Sequence, residues 1–269
     1  MQSSRYLDIF DENRAAILAA AELGLDNDVD GCPGWDVGTL VAHCGAAYTF
    51  WNKWIRDRPI NGRDQQSWVD LQAERSRRLP GVQWHDSGFP KQERPPGVIE
   101  FAREIGDELA GRLRELEPSE EVWTIFTPNQ TVGFIRRRLA HETAIHRWDV
   151  ENANGLGPSI PLELAADGLD EYLTVVLQVI SQHEPIRPTR TDYPVRAALQ
   201  PLDESDPWLV TFNNDRVSVT RGAHSANIVI SASTEQLLLY VWGRLSASTL
   251  MIEGDATLAD QWPMLVGTF

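Results

Sequence analysis

The chain has little cysteine, a shortage of positive charge and no long apolar run, and each deficit removes a class of protein from consideration. Two cysteines in 269 residues, Cys32 and Cys44, cannot staple a domain of this size, so both are read as reduced intracellular thiols, with Cys44 buried. Lysine and arginine total 24 against 39 acidic residues, a formal charge of −15. A surface of that sign repels nucleic acid and anionic membranes, and neither is expected as a partner. It does not exclude an acidic substrate, because a local cation overrides the average field. No stretch reaches the ~18 apolar residues of a membrane span. The charged opening M-Q-S-S-R-Y-L-D-I-F-D-E-N-R lacks the apolar core of a secretory leader. The expected compartment is therefore the cytoplasm. No internal repeat or low-complexity tract is visible.

What is present is ordinary globular material, 42% hydrophobic and 23% charged, enough for a substantial core. Apolar residues recur at helical spacing in five segments: Arg5 to Leu23, Val37 to Ile55, Val98 to Leu116, Val132 to Ala153, and Pro161 to about Gln182. Gly24, Pro118 and Gly155 mark stops, and Pro161 a start. Residues 56–96, rich in Arg, Asp, Gln, Gly and Pro, read as a long surface excursion. Beyond Pro185 a Pro/Arg/Thr-rich connector leads into β-branched segments at Trp208 to Phe212, Val217 to Thr220 and Asn227 to Ser231. A turn at Asn213 to Asp215 separates the first two. A helix follows from Thr234, with Gly243 near its end, and the tail gives a short strand, a turn and a last helix. The fold class is thus α plus α+β: an all-helical domain to about residue 185 and a small α+β domain after it.

The stretch A-H-E-T-A-I-H-R-W-D, residues 140–149, carries the chemistry. It is not a zincin motif, which places two histidines at i and i+4; here the i+4 pair is Glu142 and His146. One helix stripe holds Ile135, Leu139, Glu142, His146 and Asp149, while His141 points elsewhere. Helical bundles complete such sites with ligands from facing helices. His43 is the best third ligand, because its stripe (Leu40, Ala47, Phe50 or Trp51, Trp54) is apolar and turns it inward. Two His and one Glu leave a coordination position for water or substrate, and zinc, iron or manganese accepts them. The same spacing also suits a hydrogen-bonded core histidine at 43 and a surface ion pair at 142 and 146. Asp149 reads as a partner of the ligands or a surface charge. Cys44 is turned ~100° from His43 and cannot easily face the same ion. His85, His183 and His224 sit in loop-like contexts and take no role.

Two segments resemble a known family. C-P-G-W-D-V-G-T-L-V-A-H-C-G-A-A-Y-T-F-W, residues 32–51, is similar to the N-terminal signature of the mycothiol-dependent maleylpyruvate isomerases, in which a Pro-Gly-Trp turn opens the helix with the first metal-binding histidine. H-E-T-A-I-H-R-W-D-V-E-N-A-N-G, residues 141–155, resembles the second signature, which supplies a Glu and a His to the same ion. The resemblance implies a DinB-like four-helix bundle with an appended sterol-carrier-protein-like α+β domain, divided here as 1–185 and 186–269. It implies His43, Glu142 and His146 as zinc ligands. It also implies a substrate-facing Arg in a W-G-R stretch, matched by Trp242-Gly243-Arg244. A guanidinium suits a carboxylate, and Arg244 equally suits a helix C-terminus. The 56–96 excursion departs from the family pattern and is where substrate choice would be altered.

The implied activity is a cytoplasmic, metal-dependent thiol S-transferase or cis–trans isomerase. Its cosubstrate would be mycothiol, the small thiol of actinobacteria, and its substrate a small, acidic electrophile. A hydrolase using zinc-activated water and a non-catalytic ligand-binding module are the alternatives. Both monomer and homodimer are compatible with the sequence.

Overall fold

The computed structural model describes residues 1–59, 62, 64–81, 96–127, 129–183, 194–203, 206–213, 216–222 and 225–266. It divides into two compact units, Met1–Pro158 and Ser159–Phe269.

In the first unit four helices form a bundle: α1 (Ser3–Ala21), α2 (Val37–Asp57), α4 (Val98–Glu115) and α5 (Val132–Ala153), with α3 (Gln65–Arg78) outside it on α2. α1 lies along α5 and α2 along α4. The packed stripe includes Phe10 and Ile17, Leu40 and Trp54, Ile105 and Leu109, and Ile135 and Leu139, all at most 1% exposed. Each such side chain contributes about 1.5–3 kcal/mol by leaving water. Helix starts are fixed by side chains that accept the orphan amides of the first turn. Asp36 accepts from the backbone and hydroxyl of Thr39, both at 2.7 Å, and opens α2. Thr131 accepts from Phe134 N at 3.2 Å and opens α5. At Gly45 a Cβ would stand 2.4 Å from the Phe101 ring, so glycine is what lets α2 and α4 approach.

α3 lies within the segment read from sequence as a surface excursion. Its stripe Trp68, Leu71, Arg75 faces α2. Leu71 is fully buried, the Trp68 ring lies 6.1 Å from that of Trp54, and Arg75 donates to the Ala46 carbonyl at 3.0 Å. Glu74 accepts two hydrogen bonds from Arg56, at 3.1 and 3.0 Å. Residues 82–95 lie outside the described residues.

The second unit is a five-stranded sheet in the order β3-β2-β1-β4-β5, with β1 Val195–Pro201, β2 Trp208–Phe212, β3 Val217–Arg221, β4 Ile228–Ala232 and β5 Met251–Gly254. β1 and β4 run parallel and the other neighbours antiparallel. The central strand, β1, went unread in the sequence. Residues 184–193 of the connector, the tip of the 213–215 turn, His85 and His224 fall outside the described residues. α8 (Thr234–Val241) starts with a capping box of Ser233 and Gln236, and Tyr240 Oη donates to the Ala259 carbonyl of α9 (Ala256–Val266) at 2.8 Å.

The helical segment after Pro161 belongs to this second unit, whereas the sequence reading placed it in a helical domain ending at 185. It comprises α6 (Leu162–Glu171), a π-helical turn Tyr172–Val176 and α7 (Leu177–His183). The reason is packing. α6 lies against α8, the Tyr172 ring meets Trp242 at 5.0 Å, and Asp170 takes Arg221 of β3 at 3.0 Å. His183 ends a helix instead of sitting in a loop. Among the described residues no helix is long and apolar enough to cross a membrane.

Candidate metal centre

α2 brings His43, and α5 brings Glu142 and His146, to one place in the bundle. The candidate ligand atoms of His43, Glu142 and His146 all lie within 4.8 Å of one another. The two imidazole rings meet edge to face, centroids 5.2 Å apart and planes at 79°. Ligands on bonds of about 2.0–2.2 Å around a tetrahedral ion stand roughly 3.4 Å apart, so small rotations close these three on one cation. His43 and Glu142 are half-buried and His146 is buried at 5% exposure, so the centre keeps a wetter side.

Each candidate ligand has a neighbour behind it. The Trp35 indole lies over His43 with ring centroids 5.0 Å apart, placed by the turn in which Trp35 N donates to the Cys32 carbonyl. Asp36, next in sequence, anchors the first turn of the helix that carries His43. Arg138 Nε stands 3.7 Å from Glu142 Oε2, one turn along α5. His146 Nδ1 lies 3.1 Å from Asp149 Oδ2. His141, buried, faces the Tyr6 ring at 5.9 Å and takes no part, as its helix angle predicts.

The Cys44 thiol is pushed well above its usual range, first by burial and then by the Glu142 carboxylate, with Asp149 adding a smaller push. Tyr48 is raised in the same way, by burial, Cys44 and Glu142. Two imidazoles and a carboxylate form a donor set that fits a borderline divalent cation such as zinc. Among the described residues Cys44 is not in the ligand group.

A sequence model of the mycothiol maleylpyruvate isomerase N-terminal domain matches residues 6–151, and one of the MDMPI C-terminal domain matches residues 163–261. The chain belongs to the mycothiol maleylpyruvate isomerase family. The fold agrees with that membership. The crystal structure of the mycothiol-dependent maleylpyruvate isomerase superposes with a TM-score of 0.59 at 13% identity, over 94% of this chain and 93% of that one. A mutant of that isomerase with one histidine changed to alanine gives a TM-score of 0.57 at 12% identity, over the same 94% and 93%. At such identities the likeness concerns the fold alone. No curated protein matched the sequence.

In this family member Arg244 lies in the second unit, just past the C-terminus of α8. Its backbone N–H donates to the Leu239 carbonyl at 2.8 Å and its Nη1 to the Trp242 carbonyl at 2.6 Å, with Gly243 at φ 73° making the reversal. Two residues near the centre, Trp35 and Arg138, were given no role from sequence. Trp35 was already in the quoted turn, and Arg138 stands four residues before Glu142, so both could have been read from spacing.

Proposed function

We propose that this chain is a zinc- and mycothiol-dependent enzyme, a cis–trans isomerase or S-transferase for a small acidic electrophile. The observation that carries the reading is the approach of His43, Glu142 and His146, from two helices, to within 4.8 Å of one another. A zinc ion held by them would supply Lewis-acid chemistry, lowering the pKa of a thiol bound beside these residues. His43 and His146 offer neutral imidazole nitrogens, and Glu142 offers the charge that offsets part of the cation's. The half-buried side chains of His43 and Glu142 leave an open flank for the thiol sulfur. The sulfur bonds to an alkene carbon while the π pair moves to the conjugated carbonyl. After rotation, return of that pair re-forms the double bond and expels the thiolate to give the isomer; protonation of the α-carbon, balancing the proton the thiol gave up to solvent, gives the thioether instead. Arg244 is our candidate for the electrophile's carboxylate, by two parallel hydrogen bonds. The two buried cysteines, not joined in a disulfide, accord with a cytoplasmic setting.

Metal analysis of the purified protein, with turnover assays on maleylpyruvate and related electrophiles with and without mycothiol, tests the reading. About one equivalent of zinc is expected, with turnover that needs the thiol and is lost in His146→Ala. Turnover without thiol would indicate zinc-activated water, and protein without metal affinity a binding module. Either result overturns the proposal.

A further inference from the structure

Asp149 sits three residues beyond His146 on α5 with no exposure of its side chain, and its Oδ2 lies 3.1 Å from His146 Nδ1. Among the described residues it is not in the group whose ligand atoms converge. Taking a carboxylate out of water is costly unless a partner compensates. An aspartate that keeps its charge can only accept, so the proton between the two belongs to the imidazole, on Nδ1. A neutral imidazole with its proton on Nδ1 carries its lone pair on Nε2.

We infer that Asp149 is a positioning residue: by accepting from Nδ1 it commits His146 to present Nε2 to the cation, fixes the plane of the ring and raises its basicity as a ligand. The inference rests on the three-ligand reading given above. The helix accounts for the arrangement. A step of three residues puts Asp149 on the same face as His146, and full burial denies the carboxylate the water that would otherwise compete for it. Histidines that bind metals generally give their second nitrogen to such a partner, and removing it lowers metal affinity about 10–100-fold.

The experiment is a cobalt(II) titration of the full chain, by absorbance and by chelator competition, on wild type, Asp149→Asn, Asp149→Ala and His146→Ala. The expected order of affinity is wild type, then Asp149→Asn, which keeps an acceptor but no charge, then Asp149→Ala, about 10–100-fold weaker than wild type. The cobalt absorption bands should shift in position while keeping an intensity that reports an unchanged number of ligands. Should Asp149→Ala fail to fold, the isosteric Asp149→Asn carries the same readout. Affinity and bands equal to wild type in both variants overturn the inference. A loss as large as that of His146→Ala also overturns it, since Asp149 would then be a ligand itself. If wild type takes up no cobalt, the three-ligand reading has failed, and the inference with it.

Discussion

Replacing Glu142 with glutamine keeps the side chain's volume and one carbonyl oxygen while removing its charge, so it separates ligation from packing. Structural zinc sites with four ligands bind with roughly 10–16 kcal/mol, or about 3 kcal/mol per ligand, which sets the loss near 10²-fold in affinity. An amide oxygen recovers part of that. Folding stability of the metal-free chain should change far less. Glu142 has 21% of its side chain exposed, and its distance of 3.7 Å from Arg138 Nε makes a loose pair, so about 1 kcal/mol or less is at stake. Chelator competition with a zinc indicator measures the first quantity, and urea denaturation in excess chelator the second. An affinity within a factor of about two of wild type would refute the reasoning, because a ligand cannot be lost at so small a cost. A large drop in metal-free stability would show instead that the residue is structural.

Asp36→Ala should cost about 1–2 kcal/mol, since it removes a buried N-cap that serves both the amide and the hydroxyl of Thr39; chemical denaturation checks it. Gly45→Ala should destabilise the first unit by about 1–3 kcal/mol, because the added Cβ meets the Phe101 ring at 2.4 Å; thermal unfolding reads it out. Cys32 and Cys44, 6% and 2% exposed, should resist iodoacetamide in the native protein and react in denaturant; rapid native labelling would contradict their burial. Burial alone would raise the Glu74 pKa, but hydrogen bonds from Arg56 together with the charges of Arg56, Arg78 and Lys53 outweigh it and hold the carboxyl below its usual range. Its contribution is therefore present at neutral pH and fades as acid takes the pH down through the lowered value. Glu74→Gln should flatten this part of the stability profile in an acid titration.

The convergence of the three candidate ligands was legible because each sits on a stripe whose other members declare its direction. Leu40, Ala47, Trp51 and Trp54 turn His43 inward, and Ile135 and Leu139 do the same for Glu142 and His146. The fold class was legible from the change of period after residue 185, and the long helices from their apolar spacing. α3 was harder to see because Trp68 and Leu71 are its main apolar anchors, and its third inward residue is an arginine bonded to a backbone carbonyl. β1 was missed because V-R-A-A-L-Q-P carries two alanines and one β-branched residue; its strand state comes from β2 and β4 on either side. The helix after Pro161 has the same periodicity whichever core it joins. Only tertiary contacts with α8 and the sheet assign it to the second unit.

His43 reaches the centre from one helix, and Glu142 and His146 from another far along the chain. An unfolded polypeptide offers no such arrangement, so any divalent ion that settles there favours the closed bundle by mass action. With such an ion bound, a chelator would behave as a gentle denaturant of the first unit, and the metal supplied during expression would bear on how much folded protein is recovered.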